Sequence, residues 1–247
     1  GAGGFFAPYM RQYMETYKAP DHIGCMVAVK DRLNACRNPY AHLQIPNIDL
    51  AMVQQSPMLW EPLRFLESCP SSDGACALVI ANEELALRAP NKPAWILGSS
   101  TRSDGTMYAG KDNVRPQSLI ACARDVYAKA GITNPRKQID VAELYVPFSW
   151  YEPMYLEALG ICEQGEGWKL TEAGATFVTL RRRGELRGCI GRLEATRPLA
   201  DDVRQNALAA AFEDPRFEPL LVTEFAELEI EVSLLDVAQP WPARSEG

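Results

Sequence analysis

The sequence predicts a mixed α/β chain in two parts. A layered sheet flanked by helices runs to about residue 170, and a smaller α+β piece follows it. Three observations lead there. Short apolar runs at 75–81, 94–98 and 141–145 alternate with helical patterns in the first part. Beyond residue 170 the pattern changes to a hairpin, an Ala-rich helix and one alternating strand. The 247 residues are enough for one large domain or two small ones.

Each element has its own signal. Residues 5–18 carry Phe, Tyr and Met at helical spacing, and Asp21 is expected to cap a short helix reaching Lys30. Two prolines and two asparagines in 37–49 demand an extended loop. Asp73-Gly74 reads as the turn into the first apolar strand, and 94–98 leads into the polar loop "SSTRSDG". The stretch "SLIACARDVYAKAGI" is a helix closed at Ala130-Gly131. The third buried strand, 141–145, opens into a loop crowded with Tyr, Ser and Trp, and a helix over 153–160 comes next. "TFVTLRRRGELRGCIGRLEA" is a hairpin turning at Arg183-Gly184. Leu199–Phe212 is the Ala-rich helix, and "LEIEVSLLDV" alternates like a half-exposed strand.

Composition narrows the function. A net charge of −7 argues against a nucleic-acid binder, since nothing offsets phosphate repulsion globally. The one basic run, Arg181 to Arg183, is followed at once by Glu185 and reads as a solvated hairpin turn. Seven cysteines without a CxxC pair, and only His22 and His42, leave a zinc site unexpected. The longest apolar run, 75–81, is far too short to cross a bilayer. The start lacks a charged segment followed by an apolar signal core. The expectation is a reduced, cytoplasmic protein with no metal and no membrane partner.

Two resemblances follow from quoted motifs. "NACRNPYAH", "SPMLWEPLRFLESCPSSDGACALVIAN" and "IDVAELYVPFSWYEPMYLEALGICEQGEGWKLTEAG" make residues 1–176 resemble the middle of a thiolase-superfamily protein, of the lipid-transfer kind related to sterol carrier protein thiolases. "LRGCIG" and "AAAFEDPRF" make residues 177–247 resemble part of an AMMECR1 domain. Gly174-Ala175-Thr176 fits either family, so the junction is expected there. The first resemblance implies a partial thiolase-like α/β/α layered sheet, and the second a partial α+β module.

The thiolase-like resemblance also implies a site. In that family the strand before this loop ends in a His opening an "HDCF"-like motif. Aligning Phe148 with its Phe puts Tyr145 in the His position. A phenol, with an ordinary pKa of about 10, cannot relay protons as imidazole does. It can donate a hydrogen bond, or act as a base if neighbours stabilise its anion. That change points to the aldolase-like members, which cleave sterol side-chain CoA thioesters. Tyr145 is then the first catalytic candidate, with Ser149 and Tyr151 on the same loop; packing of these aromatics against the sheet is the alternative.

Ser99, Ser100 and Arg102 are candidates for meeting a CoA phosphate, or they form a plain solvated loop. His42 is a candidate binding residue, or an anchor for its loop. Cys189, between two glycines, is a candidate reactive thiol that Arg187 and Arg192 could activate, or else a structural Cys.

Three functions remain in view at this level. The first is a thiolase-superfamily lyase whose substrate is a CoA thioester, with no other cofactor. It would be a homodimer with a DUF35-type OB-fold partner. The second is a non-catalytic scaffold, and the third an AMMECR1-like protein whose activity is unassigned. Because each half matches only part of its family, exposed sheet edges are expected unless a partner covers them.

Overall fold

Helix α1 (Ala2–Tyr17) buries Gly3, Ala7, Met10 and Tyr13, a stripe at three- and four-residue spacing, and ends where Lys18 turns left-handed. The computed structural model describes residues 1–105 and 110–235. Helix α2 (His22–Ala35) follows, buried along Ile23, Gly24, Cys25, Val27 and Ala28. Asp21 does not cap it as expected: its side chain makes no cap hydrogen bond and instead accepts from Arg64 at 2.8 Å. After the expected loop come α3 (Leu50–Gln55), capped by Asp49, and a small antiparallel pair, β1 (Met58–Trp60) and β2 (Leu63–Arg64).

Helices α4 (Glu83–Leu87), α5 (Gln117–Ala130), α6 (Pro135–Gln138) and α7 (Tyr151–Ala158) complete the first of two compact units, Gly1–Trp168. Helix α5 closes at Gly131 with φ 69°, as its sequence predicts. The core gathers Met10, Tyr13, Ile23, Leu63, Trp150 and Met154. Each such side chain contributes about 1.5–3 kcal/mol on burial. Beneath it lies a polar seam in which Ser149 Oγ donates to Glu67 Oε1 at 3.1 Å. Glu152 pairs with Lys30 in the same unit. Gly24 is required here: a Cβ at that position would stand 2.2 Å from Trp150 Nε1 and 2.3 Å from Glu67 Oε1.

The second unit, Lys169–Gly247, is built on strand β3 (Ala173–Arg182). Strand β4 (Glu185–Gly191) pairs antiparallel with it across the predicted turn, where Arg183 and Gly184 both have positive φ, 54° and 82°. That is the combination a two-residue type I′ turn needs. A short β5 (Arg197–Pro198) meets the start of β3, helix α8 (Leu199–Phe212) packs on β3 and β4, and β6 (Leu228–Leu235) pairs with β3. Val178, Leu180, Ala210, Ala211 and Leu220 form the core. The basic run at the turn is paired rather than simply solvated: Arg182 and Arg183 donate to Glu227 at 2.7 and 2.6 Å. Strand β6 is less covered than its alternation predicts, with Ile230, Val232 and Leu234 all exposed.

The fold class is therefore mixed helix and sheet, as the sequence predicts, but the first unit corrects three of its elements. Segments 75–81, 94–98 and 141–145 run without helical or strand structure and join no ladder among the described residues. They are also bare: Val79 is 97% exposed, Ile96 73% and Val141 79%. No turn is assigned at Asp73-Gly74. An apolar run is a strand only when neighbouring chain receives its backbone groups, and no described segment does so here.

Candidate functional site

The site of interest is an open cavity of about 750 Å³ in the first unit. Helix α1 sets Phe5, Phe6 and Tyr9 into one wall, because residues 5, 6 and 9 share a face of that helix. Helix α7 sets Tyr151 and Tyr155 into another, their rings 5.2 Å apart. Charged groups stand around the rim. Arg102, Lys111 and Arg115 alternate there with Asp104, Asp112 and Glu143.

Several rim groups are held by local bonds. Asp104 accepts from the Ser118 N–H and hydroxyl, both at 3.1 Å, and so fixes the start of α5. Asp112 accepts from the Val114 N–H at 3.0 Å. Lys111 donates to the Gly105 carbonyl at 3.0 Å and sits 5.7 Å over the Tyr9 ring. An aromatic-walled cavity whose rim carries three cations and three carboxylates suits a molecule with an apolar body and a polar or charged end.

The expected residues divide around this cavity. Tyr145, 76% exposed, and Tyr151 both line it, as does Arg102. Burial raises the Tyr151 phenol well above its usual range, with Tyr155 and Tyr9 adding to it. It therefore stays neutral and cannot act as a base, and its hydroxyl is buried without a hydrogen-bond partner among the described residues. Its ring belongs to the core, edge-on to Phe6 at 5.6 Å.

Ser149 lies elsewhere. It is buried, donates to Glu67, and does not line the cavity. Burial raises the Glu67 carboxyl, against which the Arg64 N–H, the Arg64 charge and Ser149 all act.

Among the loop candidates, Ser100 Oγ and Arg102 Nε both donate to Asp125, at 3.1 and 2.9 Å, and the Ser99 carbonyl accepts from Lys129 at 2.6 Å. The Arg102 hydrogen bond keeps the Asp125 carboxyl below its ordinary range. The loop is thus fastened to α5, and of the three only Arg102 reaches the cavity. His42 bonds Ser72 through its ring Nδ1 on an exposed loop away from the cavity. The α1 aromatics carried a signal, their helical spacing. Lys111, Asp112 and Glu67 carried none, since a single charged residue says nothing about which cavity or core it will meet.

In the second unit Cys189 has neighbours other than those expected. Its Sγ lies 3.2 Å from Thr179 Oγ1, its N–H donates to Asp214 at 2.8 Å, and its carbonyl accepts from Arg216 at 3.2 Å. Arg187 is instead held by Glu224 through two bonds of 3.0 Å, and Arg192 by Thr196 and Asp202. The Arg187 bond, with the Leu221 N–H, draws the Glu224 carboxyl down to about 2.

Among the described residues no group of His, Cys, Asp and Glu could hold a metal ion, and no helix is long and apolar enough to cross a membrane.

The seven cysteines are free, and they differ sharply. Cys69 and Cys76 are exposed, whereas burial pushes the thiols of Cys25 and Cys162 up to about 12. Iodoacetamide at pH 8 is expected to modify Cys69 and Cys76 first, with Cys25 and Cys162 protected until the protein unfolds; peptide mapping of the labelled sites checks the order. The sign for stability follows. The contribution of these two thiols is complete below the ordinary thiol pKa of about 8.5 and is lost as pH rises through about 12.

Comparison with known proteins gives a consistent picture. A family model described as Thiolase C-terminal domain-like matches residues 100–185, and the AMMECR1 model matches residues 154–246, so the two ranges overlap. The benzoylsuccinyl-CoA thiolase subunit BbsB of Thauera aromatica is 31% identical over 172 residues, covering 69% of this chain and 44% of that one. A steroid side-chain-cleaving aldolase of Thermomonospora curvata is 34% identical over 165 residues, 65% of this chain and 42% of its own. A solved Ltp2-ChsH2(DUF35) aldolase superposes with a TM-score of 0.62 at 32% identity, covering 68% of this chain and 44% of that chain. The chain thus spans less than half the length of the curated relatives it matches. Its first unit is thiolase-like in sequence and in fold.

Proposed function

We propose that the first unit handles an acyl-CoA thioester as its substrate, without a separate cofactor, and that its chemistry is carbon–carbon cleavage of a β-hydroxyacyl-CoA. The observation that carries this is the cavity in which Tyr145 and Arg102 meet an aromatic wall. The similarity to a side-chain-cleaving aldolase agrees with it. In the reaction Tyr145 serves as the proton acceptor for the β-hydroxyl. The O–H pair becomes the new carbonyl, the Cα–Cβ bond breaks, and its electrons form the thioester enolate, which is then protonated at carbon. Alternatively Tyr145 donates to the enolate oxygen. Arg102 at the rim takes the anionic end of the substrate.

The test is turnover of a β-hydroxyacyl-CoA by wild type and Tyr145→Phe. The phenylalanine variant is expected to lose about 10²–10³-fold in kcat, the usual effect of removing one such group, while thioester binding is retained. Equal rates for the two proteins would sink the reading.

On this reading the thiolase-like part extends through residue 176, and 177–247 forms an AMMECR1-like module. The chain forms a homodimer, and a DUF35-type OB-fold protein is its partner in the cytoplasm. A second reading places the function in the AMMECR1-like module. It is supported by the regular pairing of the second unit, where β4 and β6 flank β3 and α8 packs on β3 and β4.

A further inference from the structure

A second cavity, of about 250 Å³, lies beside the first within the same unit. It is smaller than the roughly 300–1,000 Å³ of a site that holds a small molecule by itself. Arg115, Pro116 and Met154 line both cavities, so one shared wall separates them. Helix α7 explains why the two adjoin. Tyr151 and Tyr155 line the larger cavity, Ala158 the smaller and Met154 both. Positions 151, 154, 155 and 158 form one stripe along a helix, so α7 gives the two cavities a continuous floor. Helix α5 does the same from the other side, with Leu119 on the larger cavity and Ile120 on the smaller.

The shared wall has one movable apolar member. Pro116 is held by its ring and Arg115 is exposed, whereas Met154 is 1% exposed and unbranched. A thioether chain changes rotamer without stranding a strong hydrogen-bonding group. Beyond it the smaller cavity offers Val114, Ile120 and Ala158. Its polar members are already engaged. Glu157 accepts from the Tyr13 hydroxyl and from the Gly167 N–H, the latter at 2.9 Å. Glu163 accepts from Arg136 at 3.0 Å, and Gln164 donates to the Tyr17 hydroxyl at 2.7 Å. Two carboxylates beside the cavity repel an anionic end, and an uncharged alkyl end suits it.

We infer that the two cavities are compartments of one acyl site, joined when the Met154 side chain rotates. The smaller compartment takes the far alkyl end of a long acyl group and so sets the chain length accepted. The thioester end stays in the larger compartment, where Tyr145 and Arg102 stand. The inference rests on the acyl-CoA reading of the first unit and adds length selection to it. It does not depend on which bond is cleaved.

The experiment is calorimetric titration of the full chain with straight-chain acyl-CoAs, from butanoyl-CoA to hexadecanoyl-CoA, below micelle-forming concentrations. Affinity is expected to rise by up to about fourfold per methylene buried and to stop rising at a definite length. The quantity compared among variants is the ratio of hexadecanoyl-CoA to butanoyl-CoA affinity. A partly unfolded variant lowers both affinities together and leaves that ratio unchanged. Ala158→Phe fills the smaller compartment and is expected to lower the ratio at least about tenfold. Met154→Ala widens the passage and is expected to raise it at least about threefold. An unchanged ratio in Ala158→Phe overturns the inference, because the smaller cavity then takes no part in binding. An unchanged or lowered ratio in Met154→Ala overturns it too, because Met154 is then no barrier. Failure of the wild type to bind any acyl-CoA removes the acyl-CoA reading and the inference with it. Binding with unaltered ratios in the variants removes the inference alone.

Discussion

Replacing Trp150 with Ala is expected to destabilise the first unit by about 3–5 kcal/mol, the cost of emptying a large, fully buried aromatic site. Trp150 is 0% exposed at the centre of a cluster containing Met10, Tyr13, Ile23 and Met154, and its ring centroid lies 6.2 Å from that of Tyr13. Collapse into the void is resisted on one side by α2, where Gly24 already brings backbone against the indole. A control separates volume from polarity. Among the described residues the Trp150 Nε1–H is buried without a partner, so Trp150→Phe loses ring volume but also removes a costly buried donor. Its loss is expected to stay below about 1.5 kcal/mol. Urea denaturation of the three proteins, with the midpoint and slope compared, decides the matter. A Trp150→Ala loss under about 1 kcal/mol would show that the cluster is not the core of this unit.

In the second unit the corresponding position is polar. Asp202 is 0% exposed. Its Oδ2 accepts from the Thr176 N–H at 2.8 Å, the Thr176 hydroxyl at 2.7 Å and Asn206 Nδ2 at 2.9 Å. Among the described residues its Oδ1 has no partner in hydrogen-bonding geometry, yet the guanidinium groups of Arg192 and Arg197 lie within ion-pair reach at 3.4 and 3.5 Å. The ion-pair distances carry the argument, because charge attraction tolerates poor angles. Asp202→Ala removes the acceptor from three donors and the counter-charge from two guanidinium groups, of which Asn206, Arg192 and Arg197 keep other partners, and a loss of about 3 kcal/mol is expected. Asp202→Asn keeps an oxygen for the donors and loses only the charge, so roughly 1–3 kcal/mol is expected. Exchange protection of the β3 amides reads this unit alone. Equal losses for the two variants would mean that the charge, and not the hydrogen bonds, joins α8 to β3.

Much of this molecule was legible from local pattern. Helix α8 lies where its Ala-rich stretch predicts, α5 stops at Gly131, and the β3–β4 turn falls on Arg183-Gly184. Each of these depends on forces acting within a few residues: propensity, a left-handed cap, a two-residue turn. The candidate site was legible only in part. Tyr145 and Tyr151 came from one motif, but nothing in it separated a tyrosine on the cavity wall from Ser149, which the fold buries against Glu67, 82 residues away in sequence.

What the sequence determined by itself is a set of elements that close their own hydrogen bonds, the five longer helices α1, α2, α5, α7 and α8 and the tight hairpin, together with the family resemblances of its two parts; the short α3, α4 and α6 carried no signal that was read. What only the tertiary structure decided is everything that needs a distant partner. Whether Asp21 caps a helix or pairs with Arg64, whether Arg187 serves Cys189 or Glu224, and whether 75–81 becomes a strand all depend on which chain lies alongside. A helix satisfies its backbone internally, whereas a strand and an ion pair borrow half of each bond from elsewhere. That is why the longer helices of the first unit fall where their sequence signals lie while its apolar segments remain exposed.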